Sequence, residues 1–169
     1  MADEIVNRVS SSQLKTIDLE DFYPKESRAV IDIKNWLFHE LILKEADFRD
    51  HLKSHNWSQY QNQYVALTCT SDAIIPSWAY MLIATYVSPF AKKVIVGSLK
   101  ELETAVFQEI IFNFKVEEFL DKPVIIKGCT NKPIPETAYI QLIEKLQPIV
   151  KTIMFGEACS TVPLFKKKL

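Results

Sequence analysis

The run CTSDAIIPSWAYMLIATYVSPFA occupies residues 69–91, and no charged side chain stands between Ala73 and Ala91. It reads either as a membrane span or as a helix inside an α/β core. Pro76 suits the start of a helix, where a missing N–H does no harm, and Pro89 suits its end. The interval between the two prolines falls short of the roughly 20 residues that a helix needs to cross a hydrocarbon layer. A helix that is apolar all round is expected to be buried, and in α/β proteins it covers a parallel sheet.

Working outward, residues 64–69 (YVALTC) and 92–97 (KKVIVG) flank this helix as strands. Ser98 and Glu101 then form a capping box, opening a helix with Leu99, Leu102, Val106 and Ile110 at helical spacing. KVEEFLDK adds a helical turn, residues 122–129 (KPVIIKGC) form a third strand, and Pro135 opens a helix with Tyr139, Leu142, Ile143 and Leu146 on one face. Residues 151–156 (KTIMFG) form a fourth strand. The order β-α-β-α-β-α-β predicts parallel strands joined by right-handed crossovers. Residues 61–169 are thus an alternating core. Residues 1–60 form an N-terminal extension, with short strands in KTIDLEDF and RAVIDIKNWLFHELIL, a hairpin turn near His39 and Glu40, and a helix in KEADFRDHLKSH. No repeat, linker or low-complexity tract is evident, so 169 residues are expected to form one α/β domain with a mostly parallel sheet.

The composition excludes some function classes. A net charge of −1 argues against a nucleic-acid binder that works through bulk positive charge. The polar, acidic N-terminus lacks the order of a secretory signal, and three cysteines suggest no disulfide framework, so a cytoplasmic protein with reduced thiols is expected. Lys166, Lys167 and Lys168 read as a solvated tail.

The chain holds three glycines, Gly97, Gly128 and Gly156, each after an expected strand. This scarcity leaves neither GxGxxG nor GxxxxGK[ST], so no Rossmann loop or P-loop is present. The cysteines are more informative. Cys69 ends the first strand of the alternation, Cys129 follows the third and Cys159 follows the fourth. Parallel strands send their carboxyl ends to one rim, where open α/β sheets place their ligands. With the strand order 2-1-3-4, Cys69 and Cys129 sit on neighbouring strands about 4.8 Å apart. Cys69, Cys129 and Cys159 then form a candidate thiolate set for zinc or for three corners of an iron–sulfur cluster. The bland alternative treats them as small buried hydrophobes. Cys69 is also a candidate lone nucleophile, because a helix N-terminus lowers thiol pKa.

Weaker candidates have ordinary readings. Asp72 reads as a helix cap. His51 and His55 have a metal-compatible i, i+4 spacing but read as surface residues. Asp18, Glu20 and Asp21 read as a solvated strand edge, and Trp36, Trp57 and Trp78 as packing residues.

LTCTSDAIIPSWAYM, IKGC followed by KPIPETAYIQL, and GEACSTVPLFKKK resemble the bacterial domain-of-unknown-function family 2480, common in Bacteroidetes. WSQYQNQYVAL and EIVNRV extend the likeness over nearly the whole chain. The resemblance brings no assigned activity. It implies genes near those for iron–sulfur cluster assembly, and so tilts the thiol set toward metal or sulfur handling, with iron–sulfur assembly proteins as partners.

The expected function is therefore an accessory protein with a cysteine-lined metal or sulfur-handling site at the sheet's carboxyl edge. Two other classes stay open. One is a non-catalytic interaction module with structural cysteines. The other is a thiol enzyme using Cys69, for which the alternating half supplies no histidine base. Whether the protein is an enzyme, its oligomeric state and its substrate are not written in the sequence.

Overall fold

A computed structural model describes residues 13–128, 131–157 and 160–168. The α/β class and the alternating second half are as expected. Among these residues seven strands, β1 (Lys15–Ile17), β2 (Arg28–Asp32), β3 (Tyr64–Thr68), β4 (Lys93–Val96), β5 (Pro123–Ile126), β6 (Thr152–Glu157) and β7 (Ser160–Lys166), accompany four α-helices, α1 (Glu45–Ser54), α2 (Ser77–Val87), α3 (Leu99–Asn113) and α4 (Glu136–Leu146). All pairings are parallel except β6 with β7.

The strands do not join into one sheet. They form a three-stranded sheet, β2-β3-β4, and a four-stranded sheet, β1-β5-β6-β7. The order 2-1-3-4 is therefore not formed: β3 lies between β2 and β4, while β5 lies between β1 and β6. Local periodicity specifies that a segment is a strand, but not which strand will pair with it. The chain accordingly clusters into two compact units. One is Pro24–Val106, and the other combines the residues up to Tyr23 with those from Phe107 onward.

The first of these units packs Ile31, Ile33, Phe48, Leu52, Val65 and Leu67 with the α2 stripe Ala79, Ile83 and Val87. That stripe corrects the expectation of a helix buried on all sides. The sheet meets one face of α2, and Met81 on another face is 64% exposed. At 1.5 Å per residue the 11-residue α2 is about 16 Å long. Among the described residues no helix is long and apolar enough to cross a membrane.

The second unit packs Ile17, Leu19, Phe107, Ile111, Val124 and Ile126 with the α4 stripe Ala138, Leu142 and Leu146. Here β7 lies antiparallel to β6 and brings Phe165 against the core. The lysine tail read from sequence is thus partly a strand. Lys166 ends β7, and the Lys167 N–H donates to the Lys151 carbonyl at 2.9 Å. Gly156 falls inside β6 rather than after it, with φ at 125°, where a Cβ would meet the Ser160 carbonyl oxygen at 2.5 Å.

The two units are copies of one plan. Helices Ser77–Val87 and Glu136–Leu146 have the same length and stand 59 positions apart (77 to 136, 87 to 146). The same spacing relates Phe48 to Phe107, Leu52 to Ile111, Pro76 to Pro135, Ala79-Tyr80 to Ala138-Tyr139, Pro89 to Pro148 and Gly97 to Gly156. It holds in the backbone too. Asn62 and Asp121 have φ of 58° and 53°, a conformation that these two residue types tolerate best after glycine. The Asn62 N–H donates to the Phe90 carbonyl at 2.9 Å, as the Asp121 N–H does to Ile149 at 2.8 Å. An edge strand with an aspartate at or just beyond its end completes each copy: β2, ending in Asp32, beside β3, and β1, followed by Asp18, beside β5. Each aspartate accepts an N–H two residues on and opens a 3-10 turn, Ile33–Trp36 or Leu19–Phe22. The expectation that the chain holds no repeat is overturned.

Smaller readings hold. Ser98 and Glu101 form the reciprocal capping box, the Ser98 N–H donating to Glu101 Oε2 at 2.7 Å and the Glu101 N–H to Ser98 Oγ at 3.3 Å. The hairpin turn near His39 and Glu40 shrinks to one antiparallel bridge, Phe38 to Ile42, with both turn residues at positive φ.

Candidate functional site

The carboxyl edge of β2-β3-β4 carries Cys69. The cysteine directly follows β3 and is half-buried, with its Sγ 3.2 Å from Ser71 Oγ in a hydrogen bond. It does not open a helix: α2 starts at Ser77, behind Pro76, and no side chain caps it. The helix-terminus argument for a reactive Cys69 therefore loses its geometric basis, and Asp72 is not the cap.

Beside it, Asp32 holds the chain that leaves β3. Its Oδ1 accepts the N–H groups of Lys34 at 3.1 Å and Thr70 at 3.2 Å, and its Oδ2 accepts the Thr70 hydroxyl at 2.5 Å. Burial opposes ionisation of Asp32, but the hydrogen bonds from Thr70 and Lys34 outweigh it and hold the carboxyl below its usual value. Tyr80, in the first turn of α2, faces the same group. Burial pushes its phenol above the usual value, and the Cys69 and Asp32 charges act in the same direction. The edge thus gathers a thiol, two hydroxyls, a phenol and a carboxylate that accepts three hydrogen bonds from Thr70 and Lys34. The hydrogen bonds of the thiol run to Ser71 and not to a histidine, and the half-buried His55 bonds Tyr60 Oη at 2.9 Å.

The corresponding edge of the other unit is ionic. Asp18 Oδ1 accepts the Glu20 N–H at 3.0 Å, and the Lys127 ammonium donates to Asp18 Oδ2 at 3.0 Å. Burial of Asp18 opposes its charge, yet Lys127 and the Glu20 N–H keep its pKa low. The carboxylate of Glu20 accepts the N–H groups of Asn131 and Lys132. Asp18 and Glu20 are thus structural anchors of this edge rather than a solvated cluster. Cys129 and Cys159 lie outside the described residues. The strands that precede them, β5 and β6, are parallel neighbours, with Ile126 opposite Phe155.

Cys69 follows a strand of one sheet, while Cys129 and Cys159 follow strands of the other. The neighbouring-strand argument for bringing Cys69 to Cys129 does not apply. Among the described residues no group of three or more His, Cys, Asp or Glu side chains is arranged to hold a metal. His51 is exposed, but His55 is not the surface residue expected. Its ring stacks on Tyr60 and meets Trp36 and Trp57 edge-on at 5.2 and 4.6 Å. Burial lowers its pKa, so the unfolded chain binds the proton more readily. Stability is therefore expected to fall as pH drops through about 6.5 and below. In His55→Gln that slope should flatten in urea titrations between pH 5 and 7, and an unchanged slope would remove His55 as its source.

Sequence reasoning missed Asp32 and Tyr80. Both carried a signal: Asp32 terminates the alternating run RAVID, and Tyr80 recurs as Tyr139 with its preceding alanine. No curated protein and no solved structure matches the chain. A family model does match, over residues 3–167, and by that match the chain belongs to the family described as Protein of unknown function (DUF2480).

Proposed function

We propose that this protein is a cytoplasmic accessory protein that handles a thiophilic metal or sulfur through cysteines placed where the chain leaves the carboxyl ends of its parallel strands. The observation that supports this reading is the parallel pairing of β5 with β6. It directs the segments bearing Cys129 and Cys159 from one edge of one sheet, the arrangement that lets residues distant in sequence meet around a ligand. Cys69 occupies the matching edge of the other copy, half-buried beside Ser71 and Tyr80. In this reading Cys69, Cys129 and Cys159 are ligands or sulfur acceptors. Zinc or an iron–sulfur cluster is the cargo or cofactor, and iron–sulfur assembly proteins are the partners.

Thiolate ligands must be deprotonated and brought together, and oxygen or chelator strips such sites. Protein purified anaerobically is expected to carry stoichiometric zinc, or iron with sulfide, and Cys129→Ser is expected to remove most of it. Metal-free anaerobic protein, together with three Cys→Ser variants that fold and function like the parent, would end the proposal.

A second reading, a non-catalytic interaction module, is favoured by one observation. Leu41, Ile42 and Ile74 are 55%, 56% and 93% exposed and line one shallow depression with Trp78. This reading predicts trace metal only, and loss of partner capture rather than of metal when Ile74 becomes Asp.

A further inference from the structure

The internal repeat has one inequality. In the unit that contains β6, that strand is flanked on both sides, by β5 and by the antiparallel β7. Its counterpart β4 pairs, among the described residues, with β3 alone. The difference reaches the side chains. Ile153 in β6 lies opposite Phe165 and is fully buried, whereas its counterpart Val94 is only half-buried. Phe155 lies opposite Val162, whereas its counterpart Val96 is 56% exposed. A groove of about 390 Å³ lies at this strand, lined by Leu67, Tyr80, Met81, Ala84, Val94 and Val96.

The backbone is set for pairing. The Gly97 N–H donates to the Leu67 carbonyl at 2.9 Å, so strand alternation turns the N–H and C=O groups of Val96 and Val94 outward. A short edge bearing lysine often resists strand addition. Lys92, just before the strand, corresponds to Lys151, whose carbonyl accepts the Lys167 N–H in the covered copy, while Lys93 at the start of β4 stands where β6 has Thr152.

We propose that the β4 edge is a docking site for an extended segment of a partner protein, which adds antiparallel to β4 as β7 adds to β6, with a large apolar side chain seated against Val94. The chain itself displays the cover that this edge accepts, in β7 and its Phe165. Strand addition draws affinity from main-chain hydrogen bonds and specificity from alternate side-chain pockets. A second copy is the poorer occupant, because two edges of four residues each, Lys93–Val96, bury far less than the roughly 1,200–2,000 Å² of a stable dimer.

The test uses the full-length chain and a synthetic peptide of residues 160–169, STVPLFKKKL, with amide exchange at Val94 and Val96 as the readout. Saturating peptide is expected to slow exchange at both amides at least ~10-fold, and a peptide carrying F165A to need at least ~10-fold more for the same effect. Val96→Pro deletes one outward N–H at an edge position where proline is tolerated, and should abolish the response at Val94. The peptide comparison stands without any protein variant. Three results overturn the proposal. One is no change at Val94 and Val96 with millimolar peptide. Another is slow exchange of both amides in peptide-free protein at every dilution. The third is protection that disappears on dilution, which assigns the edge to a second copy.

Discussion

Replacing Glu103 with alanine is expected to destabilise the protein by about 3 kcal/mol, because it takes the facing carboxylate from a largely buried guanidinium. Arg28 and Glu103 meet in a two-pronged pair, Nε to Oε1 at 2.6 Å and Nη2 to Oε2 at 3.1 Å, with side chains 14% and 11% exposed. The remaining donor of Arg28, Nη1, reaches the carbonyls of Pro24 and Glu26 at 2.8 and 2.5 Å. Four of the five N–H groups of the guanidinium are thus bonded to oxygen, and loss of the carboxylate removes two of those bonds and the charge that faces them. Urea unfolding should show a lower midpoint at unchanged slope. Replacing both partners, Arg28→Met with Glu103→Leu, should recover much of the loss, since a buried pair contributes little net stability once both charges are gone. A loss below about 1 kcal/mol for the single variant would place the pair with solvent-screened surface bridges instead.

Phe107→Ala is expected to cost about 3–5 kcal/mol, and Phe48→Ala a similar amount. Both phenylalanines are fully buried, and they occupy the same position in the two copies of the repeat. Their effects should be local. Phe48 belongs to the core with Val65 and Leu67, and Phe107 to the core with Val124 and Ile126. Amide exchange should therefore quicken first at Val65 and Leu67 in the Phe48 variant, and at Val124 and Ile126 in the Phe107 variant. Equal loss in both sets from either substitution would mean that the two cores unfold as one.

Secondary structure was legible because it is written locally. Alternating apolar residues marked β3 to β6, prolines bracketed α2, and serine with glutamate announced the capping box of α3. Pairing was not legible. Val65 and Val124 read alike, and nothing within either strand tells it to avoid the other. The repeat escaped notice because most of its equivalent core positions differ in identity, with Phe90 facing Ile149 and Ala66 facing Ile125 in the comparison. The constant spacing of Pro76, Ala79, Tyr80, Pro89 and Gly97 to their counterparts was the available signal. The candidate site was half legible. Cys69 stands at the strand edge predicted for it, but Asp32, which bonds the adjacent Thr70, and Tyr80 come from β2 and α2, and only the folded chain brings them to this edge.

One copy of the repeat is written inside the other. β1 and its aspartate precede Pro24–Val106, while the strand that β1 pairs with, β5, follows it. A ribosome makes chain from the N-terminus, so β1 emerges first and waits while β2, β3 and β4 are all made. Contacts within Pro24–Val106 close short loops, whereas the register of Lys15 with Val124 closes one that contains that entire unit. During synthesis the three-residue strand KTI stays without its partner strand until β5 is made. Its brevity, with lysine at its start and aspartate just beyond its end, suits a strand that must stay unattached until its partner arrives.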